Sequence, residues 1–142
     1  MGLDMNLMGT SKRLPKSETM YELTPEMLDA MGIGEDELDT YELGYWRKAN
    51  QIRGWFNEQM KGQLVNCGLH YVPKQKLQEL KETCEKVLAD ESLALELLPP
   101  TSGFCFGGDE IDEWYFQDLK DTVEIVDKAL KTDNDVVYTE WW

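Results

Sequence analysis

Residues 41–61 read YELGYWRKANQIRGWFNEQMK, and the periodicity of this stretch decides how the rest of the chain is assembled. At about 100° per residue, Tyr45, Ala49, Ile52, Phe56 and Met60 share one narrow sector, the core-facing stripe of an amphipathic helix. Trp46, Asn50, Arg53 and Asn57 share a second sector about a quarter-turn away. The expectation is one helix with an apolar row and, beside it, a row of stacking and hydrogen-bonding groups. Trp offers a ring face, Asn offers donors and an acceptor, and Arg offers a planar fork that matches phosphate or carboxylate. With Arg47 alongside, that row is the first candidate binding site.

Two more helices are expected downstream. Pro73 suits a first turn, and Leu77, Leu80, Cys84, Val87 and Leu88 keep helical spacing to about Ala89. Lys81 with Glu85 and Glu82 with Lys86 are i, i+4 pairs on its outer face. Asp109 opens the last helix, which runs to about Lys131 with Ile111, Tyr115, Leu119, Thr122, Val126 and Ala129 as its core face. Asp118 falls within that face. A carboxylate there needs a partner, because an unpaired buried charge is costly, and Arg47 or Arg53 is the expected one.

The chain ends alternate in the manner of strands. Leu3, Met5 and Leu7 alternate with polar or smaller partners, and VVYTEWW at residues 136–142 is β-prone. A lone terminal strand needs a neighbour, so the two ends are expected to pair. An exposed edge of the C-terminal strand would also allow a homodimer. Residues 9–40 lack periodicity except for Thr24-Pro25-Glu26, an N-cap followed by a proline at the first helical position, which predicts a short helix over 25–31. Residues 62–72 read as a connection with one brief strand, and residues 93–98 as a short helix ended by Pro99-Pro100. The fold expected is α+β, with three main helices packed on a small antiparallel sheet that joins the N- and C-terminal strands. It forms one domain over residues 1–142, in which residues 9–40 are a variable loop and short-helix insertion.

Composition narrows the function classes. The 142 residues are 42% hydrophobic and include 15 aromatics, enough for one core burying roughly two-thirds of the unfolded surface. No apolar run approaches the ~18 residues that span a bilayer, so no membrane partner is expected. The start, MGLDMNLMGT, lacks the basic and apolar regions of a signal peptide, and Asn6 stands where a myristoylation signal carries Ser or Thr. Three cysteines, Cys67, Cys84 and Cys105, match no disulfide or zinc spacing, and Cys67-x-x-His70 has no second ligand pair. Neither a metal nor a cofactor is expected, and the plain location is cytosolic.

Net charge is −14, and it is uneven. Residues 23–46 carry seven acids and no base, residues 47–90 carry five acids and eight bases, and residues 91–142 carry thirteen acids and three bases. Such a surface disfavours direct nucleic-acid binding, which needs phosphates neutralised by Lys and Arg. It suits either plain solubility or the imitation of nucleic acid toward a basic groove.

The most unusual loop is TSGFCFGG at residues 101–108. Its glycines permit close backbone approach, and Phe104 and Phe106 would floor a pocket, although the loop has neither a P-loop nor a dinucleotide fingerprint. The acids Asp109, Glu110, Asp112 and Glu113 that follow sit where a first helical turn favours negative charge without any metal.

Several stretches together carry a resemblance: MGLDMNL, YWRKANQIRGWF, LLPPTSGFCFGGDEIDEWYFQDLKDT and the aromatic C-terminal strand. They resemble a family of small proteins carried mainly by tailed phages and prophages, over most of the chain outside residues 9–40. Family members often have His at the position of Arg53 and Phe at that of Cys105, so a histidine base in the organising stretch is not expected here. The resemblance implies a setting, the cytoplasm of an infected host bacterium, where small acidic phage proteins often disarm a host defence.

Three function classes follow. The first is a non-enzymatic binding protein that captures a nucleotide-like signal with Trp46, Arg47, Asn50, Arg53 and Asn57, walled by Phe104 and Phe106, with Asp118 orienting an arginine. The second is an acidic nucleic-acid mimic that occupies the basic groove of a host defence protein such as a restriction enzyme or a CRISPR effector. The third, a small metal-dependent hydrolase using acids of the last helix, has no nucleophile–base pair or ligand set behind it. The first is the expectation carried forward, with no catalytic residue.

Overall fold

The computed structural model describes residues 2–34, 37–101 and 107–142. Its elements in order are β1 (Asp4–Thr10), β2 (Tyr21–Glu22), α1 (Pro25–Ala30), β3 (Thr40–Arg47), α2 (Asn50–Gln59), β4 (Leu69–Val72), α3 (Lys74–Ala89), α4 (Ala94–Leu97), α5 (Glu113–Lys131) and β5 (Asp135–Trp141), with a 3₁₀ turn at Glu91–Leu93 before α4. The fold is α+β. One five-stranded antiparallel sheet runs β2-β4-β5-β1-β3, and the two terminal strands pair along their whole length, from Asp4 opposite Trp141 to Thr10 opposite Asp135.

The organising stretch is not one helix. Residues up to Arg47 form the edge strand β3, and the helix starts only at Asn50. Thr40, Tyr41, Tyr45 and Trp46 are β-prone, and Gly44 weakens a helix interior. Lys48 then takes a left-handed φ of 58°, which breaks the strand and redirects the chain into α2. Of the expected apolar row, Ala49, Ile52 and Phe56 reach the core and Met60 packs partly against it; Tyr45 is exposed instead, and Trp46, expected in the polar row, is buried from the strand.

Leu43 is the extra residue of a β-bulge: Leu7 pairs with Gly44 and Met8 with Glu42, leaving Leu43 between them. A bulge bends its strand and increases local twist, here folding Leu43 into the main core. One residue on, Gly44 lets α5 lie close to the sheet. A Cβ built there would stand 2.3 Å from Ile125 Cγ2, well inside van der Waals contact.

The core fills one face of the sheet. Met5 and Leu7 of β1, Trp46 of β3 and Val136 and Tyr138 of β5 pack against Ile52 and Phe56 of α2, Leu77, Leu80 and Cys84 of α3, and Leu119 and Val126 of α5. Phe56 stacks on Tyr138 with ring centroids 4.0 Å apart. A smaller cluster, Leu14, Leu23, Leu28, Leu38, Tyr71 and Val137, covers part of the opposite face. The stretch expected as a variable insertion therefore has a packing role, and it contributes β2, whose two residues are too few for a periodic signal.

Local chemistry explains the helix ends. Thr24 Oγ1 accepts from the Met27 N–H (3.2 Å), the N-cap expected before Pro25. Asp112, not Asp109, caps α5, its Oδ1 accepting from the N–H groups of Trp114 and Tyr115 at 3.1 Å. The C-terminal strand β5 is interior, flanked by β4 and β1, so the free edge expected to carry a homodimer contact is instead paired on both sides within the chain. No described helix is long and apolar enough to cross a membrane.

The close approach at Gly44 generates a test. Gly44→Ala should destabilise the fold by about 1–3 kcal/mol through overpacking, measured by urea denaturation. Combined with Ile125→Ala, it should cost less than the sum of the single changes by about 0.5 kcal/mol or more; strict additivity would show that Ile125 is not what the new methyl meets.

Candidate functional site

Where β3 ends and α2 begins, the chain faces the start of α5 across an open cleft of about 320 Å³, in the size range of small-ligand sites. Arg47 and Lys48 form one wall, Gly107 and Gly108 another, and Trp114, Tyr115 and Asp118 of α5 the third. Two larger grooves, about 390 and 490 Å³, lie beside β2. Between them they carry Glu22 and Lys61 as charged groups, whereas the first cleft brings two cations, carboxylates and an aromatic ring together.

Asn50 builds the wall. Its Oδ1 accepts from the Thr101 N–H (3.0 Å) and its Nδ2 donates to the Gly108 carbonyl (2.8 Å), while Thr101 Oγ1 donates to the Asn50 carbonyl (2.7 Å). The first residue of α2 thus ties both ends of the glycine-rich loop. Gly107 takes a φ of 87°, and a Cβ there would stand 3.2 Å from Lys48 Cβ, so the loop comes close to the strand–helix turn only because it carries glycine.

Gln51 joins α2 to α5. Its Nε2 donates to the Tyr115 carbonyl and to Asp118 Oδ2, each at 3.2 Å. Burial pushes the Asp118 carboxyl up from 3.8 to about 6; the Gln51 hydrogen bond opposes that rise, and the nearby charges of Asp121 and Asp112 add to it. Tyr115 is buried, its hydroxyl donating to the Leu98 carbonyl (2.7 Å), and burial lifts its pKa to about 12. It shapes the floor and exchanges no proton at neutral pH. Trp114 is 70% exposed at the rim.

The residues expected from sequence divide into three groups. Arg47, Asn50 and Asp118 meet in this cleft. Trp46 is buried beneath β3, donating Nε1 to Thr122 Oγ1 (2.8 Å) and meeting Phe56 edge-on. Arg53 forms a two-pronged pair with the buried Glu140 of β5, Nε and Nη2 reaching its carboxylate at 3.0–3.1 Å. Asn57 accepts from the Leu64 N–H (3.3 Å) and holds the turn after α2. Phe104 and Phe106 lie outside the described residues. The expected pairing of Asp118 with Arg47 or Arg53 is corrected: among the described residues Gln51 bonds Asp118 and Glu140 bonds Arg53.

Sequence reasoning missed Lys48, Gln51 and Trp114. Trp114 had a readable signal: it sits one residue off the Tyr115–Leu119–Thr122 stripe, among acids, where an isolated large aromatic is unusual. Lys48 and Gln51 had none until the strand–helix break was located. His70, the lone histidine, is buried in β4 with Nδ1 against the Tyr138 carbonyl and Nε2 accepting from the Val65 N–H, both at 3.1 Å. Burial lowers its pKa, and the two contacts hold it neutral with the proton on Nδ1.

Compared with protein-family models, with curated proteins and with solved structures, the chain matches none.

Two changes separate site from scaffold. Because the folded pKa of Asp118 lies above its unfolded value, the native state keeps the proton longer, and stability falls as pH rises through about 4 to 6. Asp118→Asn should therefore raise stability at about pH 8 by about 1–2 kcal/mol, allowing for partial solvent screening, and leave it unchanged at about pH 3.5. Thermal denaturation at both pH values checks this, and equal gains at both would exclude the carboxylate as their source. Arg53→Ala should cost about 3 kcal/mol or more in urea denaturation, because it strands the buried Glu140; a loss below about 1 kcal/mol would contradict that role.

Proposed function

We propose that the protein is a non-enzymatic binding protein of phage type that counters a host antiviral defence by holding a nucleotide-like signal in the cleft between β3, α2 and α5. The observation that carries the reading is the convergence of the Arg47 and Lys48 cations with the exposed Trp114 ring around Asp118. Two adjacent cations suit a phosphate or pyrophosphate, Arg by its fork and Lys as a point charge. An indole face suits a base by stacking. The Asp118 carboxylate accepts from an exocyclic amine, its orientation fixed by Gln51.

The division of labour differs from the one expected from sequence. Arg47 and Lys48 take the phosphate role first given to Arg53, Trp114 takes the stacking role given to Trp46, and Asn50 acts as scaffold for the wall rather than as a reader of the base. The phage setting and the defence role come from the family resemblance alone.

Native mass spectrometry of protein purified from bacteria tests the reading, followed by calorimetric titration with mononucleotides and cyclic dinucleotides. A nucleotide mass released on denaturation, or binding that weakens about tenfold or more in Arg47→Ala and in Trp114→Ala, supports it. Retention of no nucleotide together with no binding across the panel overturns it.

A further inference from the structure

A second surface lies on the face of the sheet away from the helices. Where the smaller core cluster ends, β3, β1 and β5 present a bare face. In the antiparallel register Asn6 stands between Tyr45 and Thr139, and Asp4 is opposite Trp141. Directly opposed residues share a face, and Met5, Leu7 and Tyr138, the alternate residues of these strands, fill the core on the other side. Tyr45 is 47% and Trp141 67% exposed. Uncovered aromatics grouped on a rigid sheet mark interaction surfaces, where Trp and Tyr carry much of the binding energy.

Two carboxylates are set among these rings. Tyr45 Oη donates to Asp4 Oδ1, and Asn6 Nδ2 donates to Glu42 Oε1 at 2.9 Å. Each acid is oriented by a neutral donor from the adjacent strand, and neither has an ion-pair partner among the described residues. Arg47, opposite Asp4 in register at the strand end, is the cation on this rim, and it also lines the cleft.

We propose that this face docks an arginine-bearing segment of a second protein. A guanidinium stacks on the Trp141 or Tyr45 ring while its N–H fork reaches a pre-oriented carboxylate, two contacts that reinforce each other. Charge complementarity decides between occupants. A single-stranded nucleic acid would also stack on exposed aromatics of a sheet, but its phosphates would meet Asp4 and Glu42 on a chain of net charge −14. A second copy related by a two-fold axis would oppose the same acids to themselves. Only a cationic partner satisfies both the rings and the acids.

The test titrates the whole protein with a synthetic alternating arginine–glycine peptide and, separately, with oligo-uridine, reading backbone amide shifts by NMR. The peptide should shift β1, β3 and β5. Its affinity should weaken by about tenfold or more in Asp4→Asn/Glu42→Gln and in Trp141→Ala, and stay within about twofold in Glu82→Gln/Glu85→Gln, which removes the same charge from the outer face of α3. Equal weakening by the α3 pair would show that the peptide reads only net charge and would overturn the proposal. Absence of peptide binding, or oligo-uridine shifting the same strands more strongly, would overturn it as well. Asp4→Asn/Glu42→Gln is close to isosteric on a partly exposed surface, so the comparison survives if Trp141→Ala proves unstable.

Discussion

The constraint on which the structure depends is the burial of Glu140. The carboxylate lies on β5, the middle strand of the sheet, with 1% of the residue exposed, and a charge so placed survives only if its hydrogen-bonding capacity is filled. Arg53 supplies a two-pronged contact from α2, Tyr138 donates its hydroxyl at 2.9 Å, and Trp142 donates its indole N–H at 2.9 Å. The Glu140 carbonyl in turn accepts from the Cys67 N–H (2.8 Å). The side chain thus ties the central strand to α2 and to Trp142, and the backbone of the same residue ties it to the connection before β4. Its specificity matters more than its net energy. The rotation of α2 about its axis that brings Arg53 to Glu140 also turns Asn50 and Gln51 toward the cleft.

This explains why periodicity located some elements and misread others. The helix α5 and the pairing of β1 with β5 were legible because each buries one regular face: Tyr115, Leu119, Thr122, Val126 and Ala129 recur at helical spacing and are all buried, and Met5 and Leu7 alternate. β3 was not legible because its inward residues do not alternate cleanly. The bulge at Leu43 shifts the phase, Gly44 leaves a gap for Ile125, and Trp46 then falls in step with the helix that follows. β2 acquires strand character only from its neighbour β4, a tertiary effect that no local pattern encodes.

The site divides along the same line. Asp118 was legible as an unusual carboxylate because the helical count put it between Tyr115 and Thr122, and its raised pKa follows from that burial. Its partner was not legible, since Gln51 and Arg53 both lie on α2 and the carboxylate that engages Arg53 sits on a strand far along the sequence. Arg53, the most prominent residue of the stripe read from sequence, is bound to Glu140 at the opposite side of α2. Trp46 illustrates the same substitution of roles: an indole within an apparent polar row satisfies its N–H on Thr122 and is core, while Trp114 stands in solvent.

The two surfaces meet at the end of β3, and their electrostatics oppose one another. Arg47 and Lys48 are the two cations of a cleft that Glu110, Asp112 and Asp118 also line, on a chain of net charge −14. An anion approaching the cleft feels the protein's net negative charge only within the roughly 8–10 Å over which salt leaves charges coupled. Attraction comes only at contact, so the binding proposed for the cleft would rest on short-range pairing and stacking rather than on steering. The bare sheet face has the reverse property: the proposed cationic partner would meet net attraction within that range and the oriented acids at contact. Arg47 borders both, close enough to the Tyr45 hydroxyl to be felt there. On the two proposals together, a phosphate that engages Arg47 would offset a positive charge beside the acidic face and make that face more attractive to a basic partner. By linkage the partner would strengthen the phosphate contact to the same degree, and the end of β3 is where the two proposed surfaces would be coupled.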